Sequence, residues 1–342
     1  MGRLSGLDAL RGIAALLVAL CHASSIAQET QLEFPALRWF DRSYLAVDLF
    51  FVISGYVMAR TYEGRFPDLT PPQFLKLRWL RLAPIMSVGA VFGLMLTWGE
   101  WPPVTTAMFF FYGLTLIPVL SPGVALYPIN GPAWSILYEL IGNFAHALVL
   151  HRLSARALAI ICGISAALLV TYSTGARTGP DSDTFLITLP RLLFSYCAGL
   201  ILWRTLGNRA VLPWWLGLAA FPALAIGVTM LDDRADFAVI ALCPLIVASA
   251  LSPAPRWLAA FGALSFPLYA IHYPIEKLAI RSGLHPLTGL VFAIVIAVGI
   301  AAIERAASRR RRTTISTASR NMVAASPIEA AAQNRNASDQ TL

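Results

Sequence analysis

The sequence predicts an all-α fold, a polytopic transmembrane helical bundle of about ten spanning helices with both termini in the cytoplasm. Of its 342 residues, 57% are hydrophobic and 13% are charged, whereas soluble domains carry about 25% charged residues. Apolar runs of spanning length recur along the chain, and basic residues cluster between alternate runs. So little charge cannot coat a soluble surface of this size. The composition therefore excludes an ordinary cytosolic enzyme and a disordered protein.

The predicted spans are apolar runs of about 17–25 residues, the length that a helix needs to cross the hydrocarbon core. One of the ten, near 237–251, is shorter than the others. The runs lie near 9–28, 44–60, 82–98, 133–150, 157–173, 185–203, 213–231, 237–251, 257–278 and 286–303.

Basic residues set the predicted orientation, because loops rich in Arg and Lys stay on the cytoplasmic side. The acidic segment 232–236 suits an outer loop. The net charge of +8 is thus read as an orientation signal, and no nucleic-acid partner is predicted. The basic stretches contain Arg60, Arg65, Lys76, Arg78 and Arg81; Arg152 and Arg156; Arg204 and Arg209; and the run Arg309–Arg312.

An eleventh apolar run, 104–120, is surrounded by prolines. If it crossed the membrane, Arg152 and Arg156 would move outside, together with the Arg309–Arg312 run. We therefore predict that 99–132 is a Pro-rich outer segment that does not fully cross. Irregular backbone is tolerated at membrane depth only where protein or water buries it, so this segment is a candidate roof or floor of a cavity.

The composition changes near residue 304, which divides the chain into two predicted parts. Residues 1–304 form the transmembrane domain. Residues 305–342 are basic and rich in Ser, Thr, Asn and Ala, and we predict a disordered cytoplasmic tail. The four cysteines lie in apolar stretches with no CxxC pair, so neither a disulfide framework nor a metal site is predicted.

Three ionisable residues share one face of the first predicted helix. Asp8 and Arg11 are three residues apart and can pair across one turn. His22 follows Arg11 by eleven residues, which is about three full turns and a rise of about 16 Å. An interfacial anchor for the pair, and a satisfied buried histidine, are the structural alternatives. The functional interpretation makes His22 a general base, because imidazole titrates near neutral pH.

Other polar side chains also fall within predicted spans, where ionisable groups are costly and mark functional sites. They are Asp48, Glu139, Asn143, His146 and His272, of which His146 is interpreted as structural. Arg78 and Arg81 lie three residues apart, so a helix would place their guanidinium groups side by side. Two guanidinium groups can bind phosphate in a bidentate manner, although they would equally suit an ordinary cytoplasmic loop.

Taken in order, these segments resemble the membrane-bound acyltransferase family 3, whose members O-acylate surface carbohydrates and some small molecules. The resemblance covers the chain to about residue 303. The matching pieces are Leu7-Asp8-Ala9-Leu10-Arg11-Gly12 with His22; Asp48-Leu49-Phe50-Phe51-Val52-Ile53-Ser54-Gly55; Arg78-Trp79-Leu80-Arg81; Trp134-Ser135 with Glu139; and Leu268-Tyr269-Ala270-Ile271-His272-Tyr273-Pro274.

The resemblance implies a ten-span enzyme of the bacterial cytoplasmic membrane. It implies acyl-CoA, usually acetyl-CoA, as a co-substrate from the cytoplasm, with no tightly bound cofactor. It makes His22 the catalytic base and Arg11 essential, and it assigns Arg78 and Arg81 to CoA binding.

From these roles we derive a mechanism as a hypothesis. The pantetheine arm threads the bundle to His22, which removes a proton from a hydroxyl or briefly takes the acyl group itself. Asp8 holds Arg11, and either Glu139 or a polar group near Trp134 orients the histidine or the acceptor. The predicted substrate-binding residues are Trp134, Ser135, Asp48 and His272.

Two other functions remain open. A transporter or flippase for an acylated or lipid-linked sugar would also need buried charges, but not the Arg78–Arg81 pair. A structural scaffold would use Arg11 only for folding. For the enzyme, the expected partners are acyl-CoA, membrane lipids and a carbohydrate or lipid-linked glycan acceptor, and the sequence does not specify which acceptor.

Overall fold

A computed structural model of the protein describes residues 4–32, 34–172 and 178–324, with side chains described as far as residue 307. Within these ranges the chain forms α-helices joined by short 3₁₀ turns and loops, and it contains no β-strand. The α-helices are α1 Ser5–Glu29, α2 Ala46–Tyr62, α3 Pro71–Thr97, α4 Pro103–Thr115, α5 Ala133–Leu148, α6 Ala155–Tyr172, α7 Phe185–Leu206, α8 Trp214–Gly227, α9 Ala235–Ser249, α10 Arg256–Arg281 and α11 Pro286–Ala324.

The structure confirms an all-α polytopic bundle, but it does not confirm a count of about ten spans. Seven helical segments of the described chain are long and apolar enough to cross a membrane. Two further apolar helical segments, Trp214–Met230 and Ala235–Ser249, are shorter. α4 has 13 residues, or about 20 Å of helix, against a hydrocarbon core of about 30 Å. Its length agrees with the prediction that 104–120 does not cross fully.

α1 and α10 make the most extensive helix pair in the bundle. Glycines allow their backbones to approach closely, as in many membrane helix pairs. A methyl group added at Gly12 would lie 2.6 Å from the Cβ atom of Phe261, and one at Gly262 would lie 2.5 Å from the carbonyl oxygen of Asp8. This contact fixes the spacing of the two helices that carry His22 and His272.

A buried ion pair joins α2 to α7. Arg191 Nη2 lies 2.6 Å from Asp48 Oδ2, and Ser195 Oγ donates to Asp48 Oδ1 at 3.2 Å. Both charged side chains are fully buried. A guanidinium group in this surrounding needs a carboxylate partner, so the pair ties the two helices together.

The segment between α4 and α5 is irregular, and it is buried against α3 and α10. Tyr127 donates its hydroxyl to the carbonyl of Leu116 at 2.6 Å, and Asn130 Nδ2 donates to the carbonyl of Ala270 at 2.9 Å. A methyl group added at Gly93 would lie 2.2 Å from the carbonyl oxygen of Ile129. The expectation that 99–132 is irregular backbone buried by protein therefore holds only for part of the segment after α4, whereas Pro103–Thr115 is a regular helix and Val104 and Leu120 are exposed.

The compact unit of the chain runs from Met1 to Ala297, and Val298–Leu342 forms a second unit. In the second unit α11 continues to Ala324, so the predicted tail boundary at residue 304 does not coincide with the end of a helix. Residues 325–342 lie outside the described residues, and the disorder of the tail stays a prediction.

Candidate active site

Two cavities meet at Tyr269 within the compact unit. The arginine cavity, of about 170 Å³, is lined by Arg11, Arg78, Arg81 and Glu139 among others. The histidine cavity, of about 270 Å³, is lined by His22. Tyr269 lines both cavities, so one aromatic side chain forms a common wall between them.

The arginine cavity brings together five of the predicted site residues from three helices, namely Arg11, Arg78, Arg81, Ser135 and Glu139. Arg78 Nη2 on α3 donates to Glu139 Oε1 on α5 at 2.8 Å, and the hydroxyl of Ser54 on α2 donates to the same oxygen at 3.1 Å. Glu139 therefore contacts an arginine rather than His22 or an acceptor near it. Its predicted role in orienting either of them stays a prediction that this placement does not favour.

Positive charge exceeds negative charge among the residues that line the arginine cavity. Three guanidinium groups, those of Arg11, Arg78 and Arg81, face one carboxylate, that of Glu139. The Nε atoms of Arg11 and Arg78 are buried and have no hydrogen-bond partner among the described residues. Buried donors without partners are rare in native proteins, and guanidinium groups bind phosphate well. The cavity is therefore suited to an anionic ligand.

Asp8 lies at the end of α1 nearest the arginine cavity. It packs against Gly262 of α10, and it is not among the residues that line either cavity. The proposed support of Arg11 by Asp8, one turn apart on the same helix, stays a prediction.

In the histidine cavity, His22 contacts a second histidine that lies 250 positions further along the chain. His22 Nδ1 is 3.0 Å from His272 Nε2, and the ring centroids are 5.0 Å apart. His22 is half-buried, whereas His272 is fully buried and lines neither cavity. Sequence reasoning assigned His272 to substrate binding, but in this structure His272 contacts His22, which lines the cavity.

The wall between the cavities is held by hydroxyl groups. The hydroxyl of Tyr269 lies 2.6 Å from Ser135 Oγ and donates to the carbonyl of Pro132 at 3.1 Å. Ser135, predicted as a substrate-binding residue, lines the arginine cavity beside this contact. Sequence reasoning did not single out Tyr269 as a site residue. Its position three residues before His272, on the same helix face, was the available signal.

The remaining two predicted substrate-binding residues lie around Arg191. Trp134 lines the histidine cavity, with its ring against Gly179 and 5.9 Å from the guanidinium carbon of Arg191. Asp48 is fully buried, binds Arg191, and lines neither cavity. The structure thus places Asp48 behind the cavity wall. Sequence reasoning overlooked Arg191, although an arginine within an apolar span is itself a signal.

No metal site is found within the part of the chain that the structure describes, where no three His, Cys, Asp or Glu residues are arranged to hold an ion. The four cysteines are free thiols.

The chain matches a known protein family over nearly its whole length. Residues 4–303 match the family model described as an acyltransferase domain. Among curated proteins, "Protein 2 in picA locus" of Rhizobium radiobacter is 31% identical over 184 residues, which cover 48% of this chain and 91% of that protein. No solved structure matches the chain.

If Asp48 has a structural role, replacing it should act on stability. We expect Asp48→Asn to lower the stability of the folded protein by about 3–5 kcal/mol, because it removes the ion-pair partner of the buried Arg191 guanidinium. Thermal unfolding in detergent measures the change, with Asp68→Asn on the exposed loop before α3 as the control. An unchanged midpoint for Asp48→Asn would refute the structural role.

Proposed function

Because the chain belongs to this acyltransferase family and forms a multi-pass bundle, we propose that it is a membrane O-acyltransferase that uses cytoplasmic acyl-CoA. The transferred group is acetyl, and the acceptor is a hydroxyl of a carbohydrate or a lipid-linked glycan. The site of action is the bacterial cytoplasmic membrane.

The observation that carries the proposal is the excess of guanidinium groups in the arginine cavity. CoA is a polyanion, and its phosphates would bind Arg78 and Arg81 near the cavity mouth. The unpartnered Nε atoms of Arg11 and Arg78 supply buried donors of the kind that a phosphate or thioester oxygen satisfies. Under the positive-inside orientation, this cavity lies at the cytoplasmic end of α1.

The acyl group must then travel from the arginine cavity to His22. The rise along α1 from Arg11 to His22 is about 16 Å, which is comparable to the length of a pantetheine arm. Tyr269 and Ser135 lie on this route, because Tyr269 lines both cavities and its hydroxyl contacts Ser135. Passage of the thioester therefore requires the Tyr269 side chain to move or to pack along the arm.

The chemistry proposed at His22 is general base catalysis. Nε2 of His22 takes the proton of the acceptor hydroxyl while that oxygen attacks the thioester carbonyl. A new C–O bond forms, the C–S bond breaks, and CoA leaves as a thiolate that receives the proton back from His22. The low-dielectric surroundings strengthen each polar contact in this step.

The lining of the histidine cavity supports a hydroxylated acceptor. Ser25, Gln28, Asp41 and Tyr44 all face it. Gln28 Nε2 donates to the Asp41 carboxylate at 3.2 Å, so part of the lining is already held in place. Hydroxyl, amide and carboxylate groups of this kind can exchange hydrogen bonds with several hydroxyls at once, as a sugar ring requires.

The donor site is tested by substitution of the paired arginines. We expect Arg78→Gln and Arg81→Gln each to raise the KM for acetyl-CoA by about 10- to 100-fold, because each removes a charged hydrogen bond to phosphate. The measurement is CoA release from labelled acetyl-CoA in proteoliposomes. Lys76→Gln, an exposed cation on the same helix, is the control. Equal effects from all three variants would refute a specific phosphate site, and sugar uptake without thioester cleavage would favour a transporter.

The acceptor and the base are tested together in cells. We expect a strain that carries His22→Ala to lose the acyl substituent from its surface glycans, because removal of a general base slows the reaction by about 10²–10⁴-fold. Mass spectrometry of the glycans measures the substituent. His285→Ala, an exposed histidine outside both cavities, should leave it in place. Normal acylation in the His22→Ala strain would contradict the assignment of the base.

A further inference from the structure

The hydrogen bonds around His272 fix which of its nitrogens carries the proton. Nδ1 of His272 lies 3.0 Å from the carbonyl oxygen of Leu268 and 2.9 Å from that of Tyr269. Carbonyl oxygens only accept hydrogen bonds, so this nitrogen must be the donor. In a neutral imidazole the other nitrogen is then an acceptor. Nε2 of His272 therefore presents a lone pair to His22.

The neighbours of His22 likewise fix its tautomer. Its Nδ1 lies 3.0 Å from His272 Nε2 and 3.1 Å from the carbonyl oxygen of Val18. Both neighbours are acceptors, so Nδ1 of His22 carries the proton and is shared between them. The lone pair of neutral His22 is consequently on Nε2. This is the form that a general base needs.

We infer that His272 is a positioning residue that holds His22 as the Nδ1–H tautomer and stabilises the imidazolium formed when His22 takes a proton. The inference rests on the proposed function, because it assigns a partner to the base named there. In serine hydrolases a buried carboxylate fills this role beside the catalytic histidine. Here a neutral imidazole fills it, which avoids the cost of burying a charge without a partner.

The carbonyl group of Val18 alone cannot hold the His22 ring in one orientation. Its carbonyl belongs to α1, the helix that carries His22, and it contacts the ring along that helix. His272 reaches the ring from α10, and the close contact of Gly12 with Phe261 keeps the two helices at a fixed spacing. The ring of His22 is therefore held from two helices. A ring held in this way keeps Nε2 directed at one place in the cavity.

During the reaction the proton of the acceptor hydroxyl goes to Nε2 of His22. Nδ1 of His22 keeps its own proton and donates a hydrogen bond to His272 throughout. His272 neither gains nor loses a proton, since its Nδ1–H remains bonded to the two carbonyls of α10. The step therefore needs no further acid or base at this position.

Two amide substitutions separate the acceptor role of His272 from its packing. In His272→Gln the side-chain amide reaches the position of Nε2 and can accept the hydrogen bond from His22. In His272→Asn the amide reaches only the position of Nδ1, so it can still donate to the α10 carbonyls but cannot contact His22. Both replacements are polar amides that do not titrate, which makes them a matched pair.

We expect His272→Gln to keep kcat within about tenfold of the wild type and His272→Asn to lower it by about 100-fold or more. The KM for acetyl-CoA should change by less than about twofold in both variants, because the phosphate contacts lie in the arginine cavity. Equal kcat values for the two variants, or a higher value for His272→Asn, would overturn the inference. So would a rise in KM without a change in kcat.

A direct measurement covers the case in which His272→Asn does not fold. Nitrogen-15 NMR of histidine-labelled wild-type protein should show His22 as the Nδ1–H tautomer, and an Nε2–H tautomer would overturn the inference. The His22→Ala variant distinguishes a failure of the proposed base from a failure of the positioning role. If that variant stays active, the proposed base is wrong. If it is inactive while both His272 variants match the wild type, only the positioning role is wrong.

Discussion

The close contact between α1 and α10 is the constraint on which the candidate site depends. Gly12 and Gly262 let the two backbones approach until a single added methyl group would collide with the partner helix. At that spacing His22 and His272 are within hydrogen-bond distance, and Tyr269 reaches Ser135 and Pro132. A larger separation would break the hydrogen bond between His22 and His272. It would also remove the Tyr269 contacts that form the wall between the cavities.

The cost of burying polar groups explains how the remaining charge is distributed. Asp48, which lines neither cavity, is paired with Arg191. Where a cavity is present, donors are left without protein partners, as are the Nε atoms of Arg11 and Arg78. In a bundle surrounded by lipid such donors are expensive. We expect a ligand in the arginine cavity to restore these hydrogen bonds.

Features that depend on one helix were predictable from the sequence, and features that depend on two were not. The all-α bundle follows from apolar runs, and the position of Arg11 and His22 at opposite ends of one stripe follows from helical periodicity. The contacts of Glu139 with Arg78 and of His22 with His272 join distant positions, and no local pattern encodes them. The number of spans also stayed open, because α5, α8 and α9, which match three of the predicted spans, have only 16, 14 and 15 residues.

The central claim is that a donor bound in the arginine cavity delivers its acyl group past Tyr269 to His22. The most direct measurement is a structure of the protein bound to a thioether analogue of acetyl-CoA that cannot transfer its group. The account predicts phosphates on Arg78 and Arg81 and the acyl carbon beside Nε2 of His22. An analogue whose acyl end lies away from His22, or whose phosphates avoid the arginine cavity, would contradict it.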